Sequence, residues 1–110
     1  MFNLFRKSEK DNFAPHIATR LIAIINKVKS HISDDSDMTY CYYETPGELI
    51  QMLDKCISEI EQGNMNVIDD LAIEFAPTSS LQEHSLCNGW SDEYLIIAEE
   101  FDSIQMLQKK

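Results

Sequence analysis

Glycine and proline are scarce in this sequence, with three of each among 110 residues. Many-stranded barrels and sandwiches, whose turns are rich in both, are thereby disfavoured. Cysteine is sparse and odd in number: Cys41, Cys56 and Cys87, with no C-x-x-C pair. A disulfide framework uses an even count, so reduced thiols are expected. Long apolar runs are missing too. The most apolar stretch, Ile17 to Ile25, carries Arg20 and falls short of the roughly 20 residues that cross a bilayer. Met1 to Lys7 lack the basic region and apolar run of a secretory signal, and the Lys109-Lys110 ending makes no lipidation box. A cytoplasmic protein without membrane attachment is the expectation. Positive charge is short as well: nine Lys and Arg face 19 Asp and Glu, for a net charge of −10. A surface of that sign is repelled by phosphate, so nucleic acid is not an expected partner.

What remains is an ordinary globular composition, 44 % hydrophobic and 25 % charged. At this length one domain is expected, with a core large enough to need no staples. Residues 1–13 read as a short lead whose Phe2, Phe5 and Phe13 can dock on the core of a single helical domain over 14–110. Pro15 suits a first helical turn, where its missing N–H costs nothing. Ile17, Leu21, Ile24, Ile25, Val28 and Ile32 then follow at spacings of three and four, the stripe of an amphipathic helix ending near Ser33.

Thr45-Pro46-Gly47-Glu48 is the strongest local signal. Thr45 caps, Pro46 fits the first helical position, and Glu48 can reach back to the Thr45 amide in a capping box. Leu49, Leu53, Cys56, Ile57 and Ile60 form the buried face of that helix, and Gly63 is a natural terminator. Asn64 or Asn66 caps a third helix with the face Val67, Ile68, Leu71, Ala72 and Phe75, stopped by Pro77. Ser91 caps a last helix with Leu95, Ala98, Phe101 and Ile104 on one stripe, joined by Ile97 and Leu107. Trp90 before it packs back on the helix or serves as a contact residue. The expected fold is therefore all-α, a small four-helix bundle with two long connections, at 34–43 and 78–90. A short extended piece is expected at 39–43.

The charge is unevenly placed. Residues 1–30 carry Arg6, Lys7, Lys10, Arg20, Lys27 and Lys29 against Glu9 and Asp11, a net of +4. Residues 31–108 hold 17 carboxylates and one base, Lys55, a net of −16. Asp69, Asp70 and Glu74 lack the cation four residues on that would balance them along a helix, as do Glu99, Glu100 and Asp102. Such a surface has two readings: a solubility coat, or a face that meets a basic partner and speeds the encounter.

Chemistry-bearing patterns are few. Asp34, Asp35 and Asp37 begin like a calcium loop, but Tyr40 stands where its glycine belongs and Pro46 where its bidentate glutamate belongs. A solvated acidic loop is the better reading. His84 and Cys87 have H-x₂-C spacing without a second half-motif, so no metal site is expected. Neither Cys41 nor Cys87 sits in a nucleophile elbow, and P-loop, dinucleotide and zinc-protease motifs are all missing. No catalytic role and no cofactor are assigned. Tyr40, Tyr42 and Tyr43 stand beside the acidic loop, and tyrosine anchors interfaces by burying large area at low rotamer cost.

The stretch Glu74-Phe-Ala-Pro-Thr-Ser-Ser-Leu-Gln-Glu-His-Ser-Leu-Cys-Asn-Gly-Trp90, continuing through Ser91-Asp-Glu-Tyr-Leu95, resembles a pattern in small bacterial proteins. Some of these are immunity proteins of toxin–immunity systems, and the acidic profile without a catalytic motif is similar to theirs. The resemblance implies a binding protein that neutralises a basic partner, such as a nuclease toxin, and it transfers no site residue. The residues expected to carry binding are Asp34, Asp35, Asp37, Asp69, Asp70 and Glu74, with Tyr40, Tyr42 and Tyr43 as anchors. The alternative is a small regulatory or adaptor module that self-associates, as a homodimer, through an apolar helix face.

Overall fold

Each apolar stripe coils, and a fifth segment coils with them. The computed structural model describes residues 15–109, where the chain forms five helices and no strand: α1 (Pro15–Lys29), α2 (Pro46–Glu61), α3 (Val67–Glu74), α4 (Ser80–Cys87) and α5 (Ser91–Lys109). The expected lead at 1–13 lies outside the described residues. No helix among them is long and apolar enough to cross a membrane.

Helix α1 buries Ile17, Leu21, Ile24, Ile25 and Val28, its whole expected stripe except Ile32. It ends at Lys29 rather than near Ser33. The amides of His31 and Ile32 bond the carbonyls three residues back, Val28 and Lys29, so the chain tightens and turns away. Ile32 still packs against the core from beyond the helix.

Helix α2 begins as its cap dictates: Thr45 is extended (φ −127°, ψ 152°) and its Oγ1 accepts the Glu48 amide at 3.1 Å. The return bond differs from the capping box. Glu48 Oε1 accepts from the Glu44 amide at 3.0 Å, not from Thr45, because the chain bends through 41–45 and turns that earlier N–H toward the carboxylate. At the other end Gly63 adopts φ 80°. Its amide bonds the Ile60 carbonyl and the Asn64 amide bonds that of Glu59, the paired bonds of a Schellman stop. Asn64 Oδ1 then accepts the Asn66 amide at 3.1 Å and leads the chain into α3, whereas Asn66 makes no side-chain cap bond.

In the second half one expectation fails and another holds only in part. Residues 80–87 form α4, not a connection. Its inward side is Ser80, Leu81, His84 and Ser85, three of them polar, so no apolar stripe announces it. On α5 the buried stripe is Tyr94, Ile97, Phe101 and Ile104, while Leu95 is 56 % exposed and Leu107 also faces out. Ile97, Phe101 and Ile104 lie inside as expected, with Ala98 partly buried beside them; packing put Tyr94 inside instead of Leu95 and turned Leu107 out. Phe75 at the end of α3 stacks on Phe101 (ring centroids 4.8 Å apart) and on Tyr94 (6.2 Å), and the Tyr94 hydroxyl donates to the Phe75 carbonyl at 3.0 Å. Ser91 lies inside the helix rather than at its cap; the Trp90 carbonyl accepts the Tyr94 amide.

Helix α1 lies between α5 and α2, α3 rests on α2, and α4 rests on α5. The buried residues of all five helices form a single core cluster.

Candidate partner-binding face

The tertiary structure sorts the carboxylates into two groups. The cations of α1 face the acids of its neighbours: Arg20 pairs with Glu100 of α5 at 2.9 Å, and Lys29 pairs with Asp54 of α2. Lys27 lies beside Glu99 and Glu100 along the α1–α5 seam. His31, just past α1, meets Glu93 at 2.8 Å. The α5 acids are therefore partly neutralised from within the chain, which corrects the expectation for Glu100. The Arg20 hydrogen bond holds its carboxyl below the usual glutamate range. Asp69, Asp70 and Glu74 on α3 have no ion pair among the described residues.

The tyrosines gather against that same helix. Tyr42 is 89 % exposed and Tyr40 71 % exposed, while Tyr43 turns partly inward against the core. No extended piece forms at 39–43; the segment is turns and bends, and the Ser80 hydroxyl accepts the Tyr42 amide at 2.8 Å. Tyr43 donates its hydroxyl to Glu74 Oε2 at 2.9 Å and sits edge-on to Tyr42. Burial first, then the neighbouring carboxylate, pushes the Tyr43 hydroxyl above its ordinary pKa, and burial also raises that of Glu74.

These side chains border a groove of about 460 Å³ between the 40–42 segment and the α3–α4 junction, with Ile73, Glu74 and Ser80 on its far wall. Ile73 is 65 % exposed, an apolar side chain set among polar ones. A second groove of about 230 Å³ lies between α2 and α3, lined by Met52, Lys55, Cys56, Glu59 and Asp70 and bordered again by Ile73 and Glu74. Tyr40, Tyr42, Tyr43, Asp70 and Glu74 thus come together around one region of surface. Asp69 is exposed on α3 and lines neither groove.

The acidic loop does not join them. Asp34 and Asp35 are exposed and line neither groove. Asp37 is spent on its own loop, where its carboxylate accepts both the amide and the hydroxyl of Thr39, the hydroxyl bond being the larger cause of its lowered pKa. The Asn88 side chain clamps the Asp37 backbone through two bonds of 2.7 and 2.9 Å, tying the loop to the end of α4.

Sequence reasoning missed Ile73 and Ser80, whose part in the groove depends on a loop 30 to 40 residues away. It also missed a buried ring cluster. His31 stacks flat on Trp90 (4.4 Å, 4° between planes), and the Trp90 indole N–H donates to His84 Nδ1 at 3.0 Å. Indole nitrogen only donates, so His84 carries its own proton on Nε2, which is buried and has no partner among the described residues. Trp90 therefore belongs to the core and not to the surface. Cys56 is buried on α2, where desolvation raises its thiol to about 11. Among the described residues no three His, Cys, Asp or Glu side chains are grouped to hold a metal ion.

No protein-family model, curated protein or solved structure matches the chain.

Proposed function

We propose that the protein is an acidic, cytoplasmic binding protein that neutralises a basic partner, most concretely a bacterial immunity protein that inhibits a nuclease toxin. The observation that carries this reading is the coincidence of exposed tyrosines with carboxylates that have no ion pair among the described residues: Tyr40, Tyr42 and Ile73 stand open around grooves edged by Asp70 and Glu74. A solubility coat needs the charge alone and gives no reason for large apolar side chains at the same place. A nuclease is basic where it holds phosphate, and carboxylates can occupy such a surface or cover a patch beside it. In this reading α1, α2, α3 and α5 make a small four-helix bundle that presents α3 and the 38–45 loop along one flank. Capture from the native host followed by association kinetics tests it. The on-rate should fall steeply between 0.01 M and 0.15 M salt, where screening shortens the field from about 30 Å to about 8 Å. Affinity indifferent to salt, and to joint neutralisation of Asp70 and Glu74, would remove the main support.

A second reading, self-association without catalysis, is favoured by the outer side of α5, which exposes Leu95, Ile96, Met106 and Leu107. Exposed Glu99 and Asp102 lie between those apolar ends, so two copies meeting there would oppose like charges. Sedimentation equilibrium distinguishes the two: a monomer at micromolar concentration leaves the basic-partner reading in place.

A further inference from the structure

We infer that the junction of the two grooves, at Ile73 and Glu74, receives an arginine side chain from a basic segment of the partner protein. The inference rests on the basic-partner reading and adds to it which side chain is recognised and where. Among the described residues Glu74 is the one carboxylate that borders both grooves. The Tyr43 hydroxyl holds its Oε2 in place, so the carboxylate is oriented before anything binds. Among the described residues no cation pairs with it. A half-buried carboxylate left in this state gains when a cation arrives, and the cation loses less hydration if it is a guanidinium than an ammonium.

Two further features select arginine over lysine, and a third suits either stem. The exposed rings of Tyr40 and Tyr42 offer flat faces on which a guanidinium stacks. Glu74 offers a planar acceptor that a guanidinium meets with two parallel bonds. Ile73 and Met52 supply apolar surface for the aliphatic stem of either cation. Charge decides the sign of the occupant, because Glu59, Asp70 and Glu74 outnumber Lys55 in the second groove. The larger groove, at about 460 Å³, is in the range that holds a multi-group ligand. A chain segment with arginine at the junction suits that space better than an isolated cation.

The test titrates ¹⁵N-labelled full-length protein with a capped pentapeptide that has arginine at its second and fourth positions and glycine elsewhere. The lysine counterpart is the control. The arginine peptide should shift the amides of Tyr40, Tyr42, Ile73 and Glu74, and should saturate them at several-fold lower concentration than the lysine peptide. Glu74→Gln, which keeps an acceptor for Tyr43, should weaken the arginine peptide about tenfold, as expected for loss of a charge-assisted pair. Tyr42→Ala, at a side chain with no part in the core, should erase the preference for arginine over lysine. Equal binding of both peptides, shifts centred on Asp34 and Asp35 or on α5, or a Glu74→Gln variant that binds normally would each overturn the inference. If a captured partner binds in a salt-dependent way and ignores both substitutions, the arginine site is wrong and the basic-partner reading stands. If the arginine peptide behaves as described and no basic protein is captured or inhibited, the site stands and the neutralising role falls.

Discussion

Arg20 and Glu100 are 80 positions apart in the chain, and their side chains meet at 2.9 Å across the α1–α5 seam. That one pair shows where one cation of the basic first helix is used. Arg20 meets Glu100 of α5 and Lys29 meets Asp54 of α2, while Asp69, Asp70 and Glu74 of α3 have no ion pair among the described residues.

Removing the guanidinium should therefore release Glu100. In Arg20→Gln the Glu100 carboxyl should return upward toward 4.5, its ordinary value, read by carboxyl-detected NMR. Because its folded pKa is depressed, the pair stabilises the protein fully above that ordinary value and loses its effect as pH falls through the lower folded value. Both side chains are about a third exposed, so solvent screening limits the loss at neutral pH to about 0.5 kcal/mol. An unchanged Glu100 titration would mean that the pair does not form in solution.

The cap of α2 gives a sharper stability test. Thr45→Ala removes the acceptor of the Glu48 amide and should cost about 1 kcal/mol, seen as a lower urea midpoint with an unchanged slope. No shift would place the start of α2 elsewhere.

His84 should make stability depend on pH near neutrality. Burial lowers its pKa below the ordinary 6.5, so the unfolded chain takes up this proton more readily than the folded one. Stability should be complete above about 6.5 and decline as pH falls below it, until the depressed folded value is reached. Trp90→Phe leaves His84 Nδ1 buried without its donor and should destabilise by about 1–3 kcal/mol. Urea midpoints at pH 7.5 and pH 5.5 check both; a His84→Gln variant with the same pH slope as the parent would refute the assignment.

The register of α5 can be read by paired truncations. Phe101→Ala empties a fully buried site and should cost about 3–5 kcal/mol. Leu95→Ala, on the exposed side, should change stability by about 0.5 kcal/mol or less. Comparable losses at the two positions would restore the stripe through Leu95.

What the sequence determined by itself is local. Thr45-Pro46 and Gly63 mark the two ends of α2 because a cap and a left-handed stop are made by residues within five positions of one another. The stripes of α1, α2 and α3 were legible for the same reason: a helix brings side chains three and four apart onto one face whatever lies opposite. Only the tertiary structure decided the rest. Helix α4 buries serine and histidine, which qualify as core residues only because Gln82, Trp90 and the 40–42 segment supply hydrogen-bond partners. The face of α5 was chosen by Phe75, and the two outward tyrosines by the Tyr43–Glu74 bond and the Ser80 hydroxyl. Which acids meet Arg20 and Lys29 depended on where α1 lay. Charge and ring contacts act through space, and the spacing of residues along a chain holds no record of which helix will pack beside which.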